Sequence, residues 1–122
     1  MIKVGTDIVE IKRVKAALNK FDNRFLERFL NPSEIQLASK LETIAGFWAA
    51  KEAIAKAIGT GIGKELNFKD ITIYKNHNNS PYFKLNTKNF SIIDSSISIA
   101  HEKEFAIAVA IVIIKDNSIK SN

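Results

Sequence analysis

The stretch Glu42-Thr43-Ile44-Ala45-Gly46-Phe47-Trp48-Ala49-Ala50-Lys51-Glu52-Ala53-Ile54-Ala55-Lys56-Ala57-Ile58 decides how the rest of the chain is read. Ile44, Phe47, Ile54 and Ile58 recur at helical intervals, and Gly59 supplies a C-terminal stop, so the spacing predicts a helix over 42–58. At about 100° per residue, Glu52 and Lys56 lie roughly 40° apart, one turn along. Ala45 and Ala49 share their sector, with Trp48 at its edge. The wheel predicts a shallow, alanine-lined face from which only Glu52 and Lys56 project, open to a bulky ligand. A Glu–Lys pair at this spacing is also a common surface feature, contributing about 0.2–0.5 kcal/mol. Such surfaces are usually polar, and this one is not. Lys51 falls inside the apolar stripe, where it either snorkels or aims a cation at a phosphate.

Upstream, Ile2 to Ile8 reads as a short apolar strand in which Gly5 permits close backbone approach. Ile8, Ile11, Val14, Leu18 and Phe21 then recur every three or four residues, predicting a helix with its basic residues outward. A second short helix is expected over 24–30. Asn31-Pro32-Ser33-Glu34 is a helix start, with Asn as cap, Pro first and Glu three residues after the cap; that helix should reach about Lys40.

Downstream, Gly59-Thr60-Gly61-Ile62-Gly63 forms a tight connection to strand candidates at 70–75, 82–85, 96–100 and 105–114. Asn76 to Pro81 reads as a hairpin loop, and His101 to Glu104 joins the last two strands. Residues 87–95 are ambiguous, and the last seven are expected to fray. In the final strand Phe105, Ile107, Val109, Ile111 and Ile113 fill one face, while Ala106, Ala108 and Ala110 fill much of the other. Both faces need cover, supplied either within the chain or by another copy of it. The fold class expected is α+β: a single compact domain, 1–122, with a long central helix packed on a small antiparallel sheet.

Composition narrows the chemistry. At 122 residues the chain is about one domain. With 46% hydrophobic and 25% charged residues it has the makeup of a globular protein. It has no cysteine, which excludes disulfides, thiolate metal sites and cysteine nucleophiles. Two histidines, His77 and His101, argue against a zinc site. The longest apolar run, Phe105 to Ile114, is too short to cross a bilayer, and Asp7 and Glu10 interrupt any signal peptide. The expectation is a cytoplasmic protein with no membrane partner.

The net charge is +5, but most of the cations are Lys in an Ile-rich chain, a bias that base composition alone produces. Placement says more. All three arginines, Arg13, Arg24 and Arg28, lie between Ile11 and Arg28. Arginine binds carboxylates and phosphates bidentately, so these residues form either a dock for an acidic partner or a solvated helix face. Asp7, at the end of the first strand, is either a turn former or, with Glu52, half of a two-carboxylate magnesium site.

Gly5-Thr6-Asp7-Ile8-Val9-Glu10-Ile11 with Arg13, Trp48-Ala49-Ala50-Lys51-Glu52-Ala53-Ile54-Ala55-Lys56-Ala57 and Gly59-Thr60-Gly61-Ile62-Gly63 together resemble the holo-[acyl-carrier-protein] synthase family of 4'-phosphopantetheinyl transferases. The resemblance continues through Phe68-Lys69-Asp70-Ile71 and Ser80-Pro81 to Ser96-Ile97-Ser98-Ile99-Ala100-His101. It implies an enzyme that moves the phosphopantetheine arm of coenzyme A to a serine of apo acyl carrier protein. The reaction releases adenosine 3',5'-bisphosphate and serves fatty acid biosynthesis.

By the same resemblance Asp7 and Glu52 would hold Mg²⁺ against the coenzyme pyrophosphate, with Lys56 assisting its departure. Lys51, Gly59, Gly61, Pro81 and His101 would contact or border the coenzyme. Arg13, Arg24 and Arg28 would meet the acidic carrier protein, and the family's homotrimer, with sites between subunits, would cover the final strand. Phe47 stands where many relatives carry an arginine, and Asn79-Ser80-Pro81 replaces Gly-Lys-Pro, so the adenosine end would be held differently. The alternatives are a basic nucleic-acid-binding module or a non-catalytic relative that only binds carrier protein. The first lacks strand aromatics expected to face solvent, because the strands of Phe83 and Phe105 read as buried.

Overall fold

In the computed structural model, which describes residues 1–115, the elements run β1 (Ile2–Glu10), α1 (Ile11–Phe21), α2 (Asn23–Phe29), α3 (Pro32–Leu37) and α4 (Leu41–Ile58). A 3-10 turn at Phe68–Asp70 leads to β2 (Ile71–Lys75), β3 (Pro81–Leu85), β4 (Ile92–His101) and β5 (Phe105–Ile114). The expected single sheet is two: a three-stranded antiparallel sheet in the order β1-β5-β4, and a β2-β3 hairpin. The long helix lies across the larger sheet, as the stripe in 42–58 predicts. The expectation of fraying over the last seven residues lies outside the described residues.

β1 extends to Glu10 because its pairing with β5 continues to Glu10 opposite Phe105. Ile8 is strand, as the reading of Ile2 to Ile8 has it, and the strand runs on through Val9 and Glu10 before the helix begins. α1 starts at Ile11, whose N–H donates to the Glu104 carbonyl at 2.8 Å. α3 stops at Leu37, short of Lys40. The ambiguous stretch resolves in part into β4, which starts at Ile92 and carries an irregularity between Ile92 and Asp94. α4 ends at Gly59 with φ of 107°, a left-handed conformation suited to glycine.

The contact between β1 and α4 is made by backbone. A Cβ on Gly5 would overlap the Ala53 carbonyl oxygen and lie 2.6 Å from the Ala57 nitrogen, so only hydrogen lets the helix settle there. Ala45, Ala49, Ala53 and Ala57 of α4 are buried, as are Ala106, Ala108 and Ala110 of β5. Small residues on both layers bring helix and sheet close together. This corrects the wheel: Ala45 and Ala49 are fully buried core residues, not the rim of an open face. Trp48, Glu52 and Lys56 on that side keep access to solvent.

The other face of the large sheet is apolar and uncovered among the described residues. Ile2 (73% exposed), Val4 and Ile8 of β1 stand opposite Ile113, Ile111 and Ile107 of β5. Among the described residues no helix is long and apolar enough to cross a membrane.

Gly5→Ala should lower stability by about 1–3 kcal/mol, the usual effect of overpacking, and its denaturant midpoint should fall accordingly. An unchanged midpoint would mean that α4 can lift off β1 freely.

Candidate active site

Alternation along β1 sends Gly5 and Asp7 to the helix side of the sheet. Asp7 therefore emerges where α4 presents Glu52 and, one turn on, Lys56. The Lys56 ammonium donates to Asp7 Oδ1 at 2.9 Å and to the Thr6 carbonyl at 3.1 Å. Asp7 is largely shielded from solvent, whereas the Lys56 side chain is about half exposed. Glu52 completes the group. Burial, then the Asp7 charge, push its carboxyl above the usual carboxylate range, and Lys56 partly opposes them. Two carboxylates sharing one lysine leave net negative charge at the mouth of a cleft of about 400 Å³.

That cleft is lined by both apolar and charged side chains. Phe25 and Trp48 supply rings to its wall, and Arg13, Glu10, Asp7 and Glu52 supply charge. Trp48 is stacked on Phe25 at 5.8 Å and packed edge-on against Phe29 at 4.8 Å, with Phe68 behind it at 4.6 Å. The sequence reading placed Trp48 at the edge of the site but had no signal for this wall, because its rings come from α2, α4 and the 3-10 turn.

Lys51 requires a correction. It is wholly buried, and its ammonium donates to the Phe29 carbonyl at 2.6 Å, Glu34 Oε1 at 2.8 Å and the Phe68 carbonyl at 3.0 Å. All three donor positions are occupied, so no phosphate reaches it. Burial pulls its pKa down while Glu34 pulls it back up. Glu34 is buried too, accepting from the N–H groups of Asn31 (2.7 Å) and Ile73 (2.8 Å). Breaking such a pair from one side costs about 3–5 kcal/mol. Glu34 was anticipated only as a helix-start residue. The clue to its partner was a lysine inside an apolar stripe, which calls for a carboxylate.

The remaining candidates separate. Pro81 and His101 line a second cleft, of about 170 Å³, together with Phe47, Glu42, Lys75 and Asn79. Phe47 is core, 1% exposed, as its stripe position implies. Lys75 and Glu42 went unnoticed because charged residues on a strand and in a first helical turn are unremarkable. Gly59 and Gly61, both at positive φ, form the turn just beyond Lys56, with open space above each α-carbon. Arg13 joins the first cleft. Arg24 and Arg28 instead flank a hollow beside Phe21, with the Arg28 guanidinium 5.4 Å from that ring. Phe83 is buried, and the aromatic that faces solvent on a strand is Tyr82, stacked on Tyr74 at 5.3 Å.

Comparison with known proteins matches this arrangement to one family. Residues 3–110 match the model of the 4'-phosphopantetheinyl transferase superfamily. The holo-[acyl-carrier-protein] synthase of Nitratiruptor sp. is 51% identical, over 90% of this chain and 97% of the relative. That of Wolinella succinogenes is 52% identical, over 87% and 92%. The crystal structure of the Helicobacter pylori holo-[acyl-carrier-protein] synthase in complex with coenzyme A superposes with a TM-score of 0.85 at 47% identity, covering 90% of this chain and 99% of that one. The chain belongs to the 4'-phosphopantetheinyl transferase superfamily and, within it, to the holo-[acyl-carrier-protein] synthase family of enzymes.

The raised pKa of Glu52 has a stability consequence. Folding tightens its proton, so its favourable contribution is present at low pH and is lost as pH rises through the folded value. Glu52→Gln should therefore raise Tm by a few degrees at pH 8 in metal-free buffer, with the gain vanishing below about pH 4. A lower Tm at pH 8 would show the carboxylate to be well paired instead.

Proposed function

We propose that the chain transfers the 4'-phosphopantetheine group of coenzyme A to a serine of apo acyl carrier protein, releasing adenosine 3',5'-bisphosphate for fatty acid biosynthesis in the cytoplasm. One observation carries this: Asp7, which Lys56 bonds, and Glu52 meet on the lining of a cleft of about 400 Å³. The Helicobacter pylori relative, solved with coenzyme A, supports coenzyme A as the donor here.

The donor set suits Mg²⁺. It offers two hard carboxylates, one with its pKa raised by burial and then by the charge of the other, and the remaining positions are left to water and phosphate oxygens. Asp7 and Glu52 would hold the ion, which supplies charge neutralisation for a pyrophosphate. The chain's own residues do the rest. The serine Oγ attacks the phosphorus next to the pantetheine, and the bond from that phosphorus to the bridging oxygen of the pyrophosphate breaks. Glu52 takes the serine proton, and Lys56 meets the charge growing on the departing adenosine 5'-phosphate. Such a transfer needs alignment and electrostatics more than a covalent intermediate.

Arg13, beside the carboxylates, and Arg24 and Arg28, along α2, would meet an acidic carrier protein, raising association rate and selectivity. Gly59, Gly61, Pro81 and His101 would border the coenzyme. The uncovered apolar sheet face would pack against further copies in a homotrimer, since a patch this continuous marks an interface.

Incubation with apo acyl carrier protein, coenzyme A and Mg²⁺ should add one phosphopantetheine per carrier, read by intact mass. Asp7→Asn and Glu52→Gln should each cut kcat/KM by about 100-fold or more. No mass gain under conditions where a known synthase works would exclude the transferase. Light scattering should give the mass of three chains, and Ile111→Lys, in the middle of the apolar face, should give that of one. A single-chain mass for the unaltered protein would exclude the trimer.

A further inference from the structure

The geometry assigns Lys51 a positioning role: from behind α4 its ammonium pins the aromatic wall and the arginine-bearing α1–α2 arm to the helix that carries Glu52, and so sets how the acceptor protein meets the site. The role of that arm rests on the transferase reading above.

Three observations converge on it. The ammonium has three acceptors, and each comes from a different segment: the end of α2 at Phe29, α3 at Glu34, and the 3-10 turn at Phe68. Two of these acceptors are the backbone carbonyls of the phenylalanines whose rings hold Trp48. Phe29 meets it edge-on and Phe68 packs at 4.6 Å. Trp48 lies one turn before both Lys51 and Glu52 on α4, and with Phe25 of α2 it walls the cleft that contains Glu52. Glu34 then extends the tie into β2 by accepting from the Ile73 N–H.

The consequence is selective. α2 carries Arg24 and Arg28, while Asp7, Glu52 and Lys56 are held by the separate β1–α4 contact at Gly5. Loosening the Lys51 tie therefore disturbs the acceptor's surface and leaves the coenzyme's charged anchor in place. A residue needed only for folding would act on both substrates alike.

The test uses Lys51→Met/Glu34→Gln, which removes the charges together so that neither is stranded, and Lys51→Gln/Glu34→Gln, which also removes both charges but keeps groups that can hydrogen-bond, as the milder variant should the first fail to fold. Ile73→Val serves as a control that loosens the same core without touching the ammonium. Trp48 is the single tryptophan, so acrylamide quenching reports the wall directly. Lys51→Met/Glu34→Gln should show Trp48 at least twofold more quenchable, a KM for apo acyl carrier protein raised about tenfold, and a KM for coenzyme A within twofold of the parent. Lys51→Gln/Glu34→Gln should lie between, and Ile73→Val should leave both KM values unchanged. Equal rises in both KM values, or a folded variant with unchanged quenching and unchanged KM for the carrier, would overturn the assignment. If the parent transfers nothing to the carrier, the functional reading fails, and Trp48 accessibility still tests the tie by itself.

Discussion

The backbone of β1 touches the backbone of α4 at Gly5, and the geometry of the site follows from that contact. Two residues further along the strand, on the same face, stands Asp7; one turn before and roughly level with Ala57 on the helix stand Glu52 and Lys56. Any side chain at position 5 would separate the layers and, with them, the two carboxylates. The alanines of α4 and β5 serve the same end. They give up the burial that larger side chains would provide in return for a short distance between helix and sheet.

On its other side α4 is held by a different kind of force. The Lys51–Glu34 pair is buried and charged, but its hydrogen bonds are complete, and no buried side-chain polar atom among the described residues lacks a partner. Such a pair adds little net stability over an apolar replacement, yet it penalises every arrangement that leaves it unpaired. It thus specifies where α2, α3 and the 3-10 turn rest against the helix. The aromatic cluster of Phe25, Phe29, Trp48 and Phe68 fills the space this specification leaves.

These two attachments divide the labour within the site. The contact at Gly5 gathers negative charge and one exposed lysine, an arrangement suited to a divalent ion and a pyrophosphate. The buried pair sets a wall of rings beside an arginine-bearing arm, a surface suited to another protein. The second cleft, with Lys75 and His101 close to Glu42, lies apart from both and carries mixed charge. Phe47 is absorbed into the core. Whatever binds in that cleft meets Lys75 from β2 and a ring, not a charge, at position 47 of the helix.

Much of this was legible in the sequence. Hydrophobic spacing and the flanking glycine located α4 nearly to the residue, and the short period of 105–114 located β5, because both signals are local. The motifs around Asp7 and around Glu52–Lys56 identified the family, since residue order alone suffices for that. Three things were not legible. Val9 and Glu10 carried the strand on past Ile8, because pairing with β5 outweighed the helical spacing that begins there. Ala45 and Ala49 promised an open face and proved to be core, because a helical wheel cannot say which neighbour arrives. Lys51 could have faced a phosphate until Glu34, Phe29 and Phe68 closed around it. Sequence determined which residues could do the chemistry, because side-chain type and short-range spacing are written in it. Only the tertiary structure decided which of them meet, because burial and pairing depend on contacts between segments that are distant along the chain.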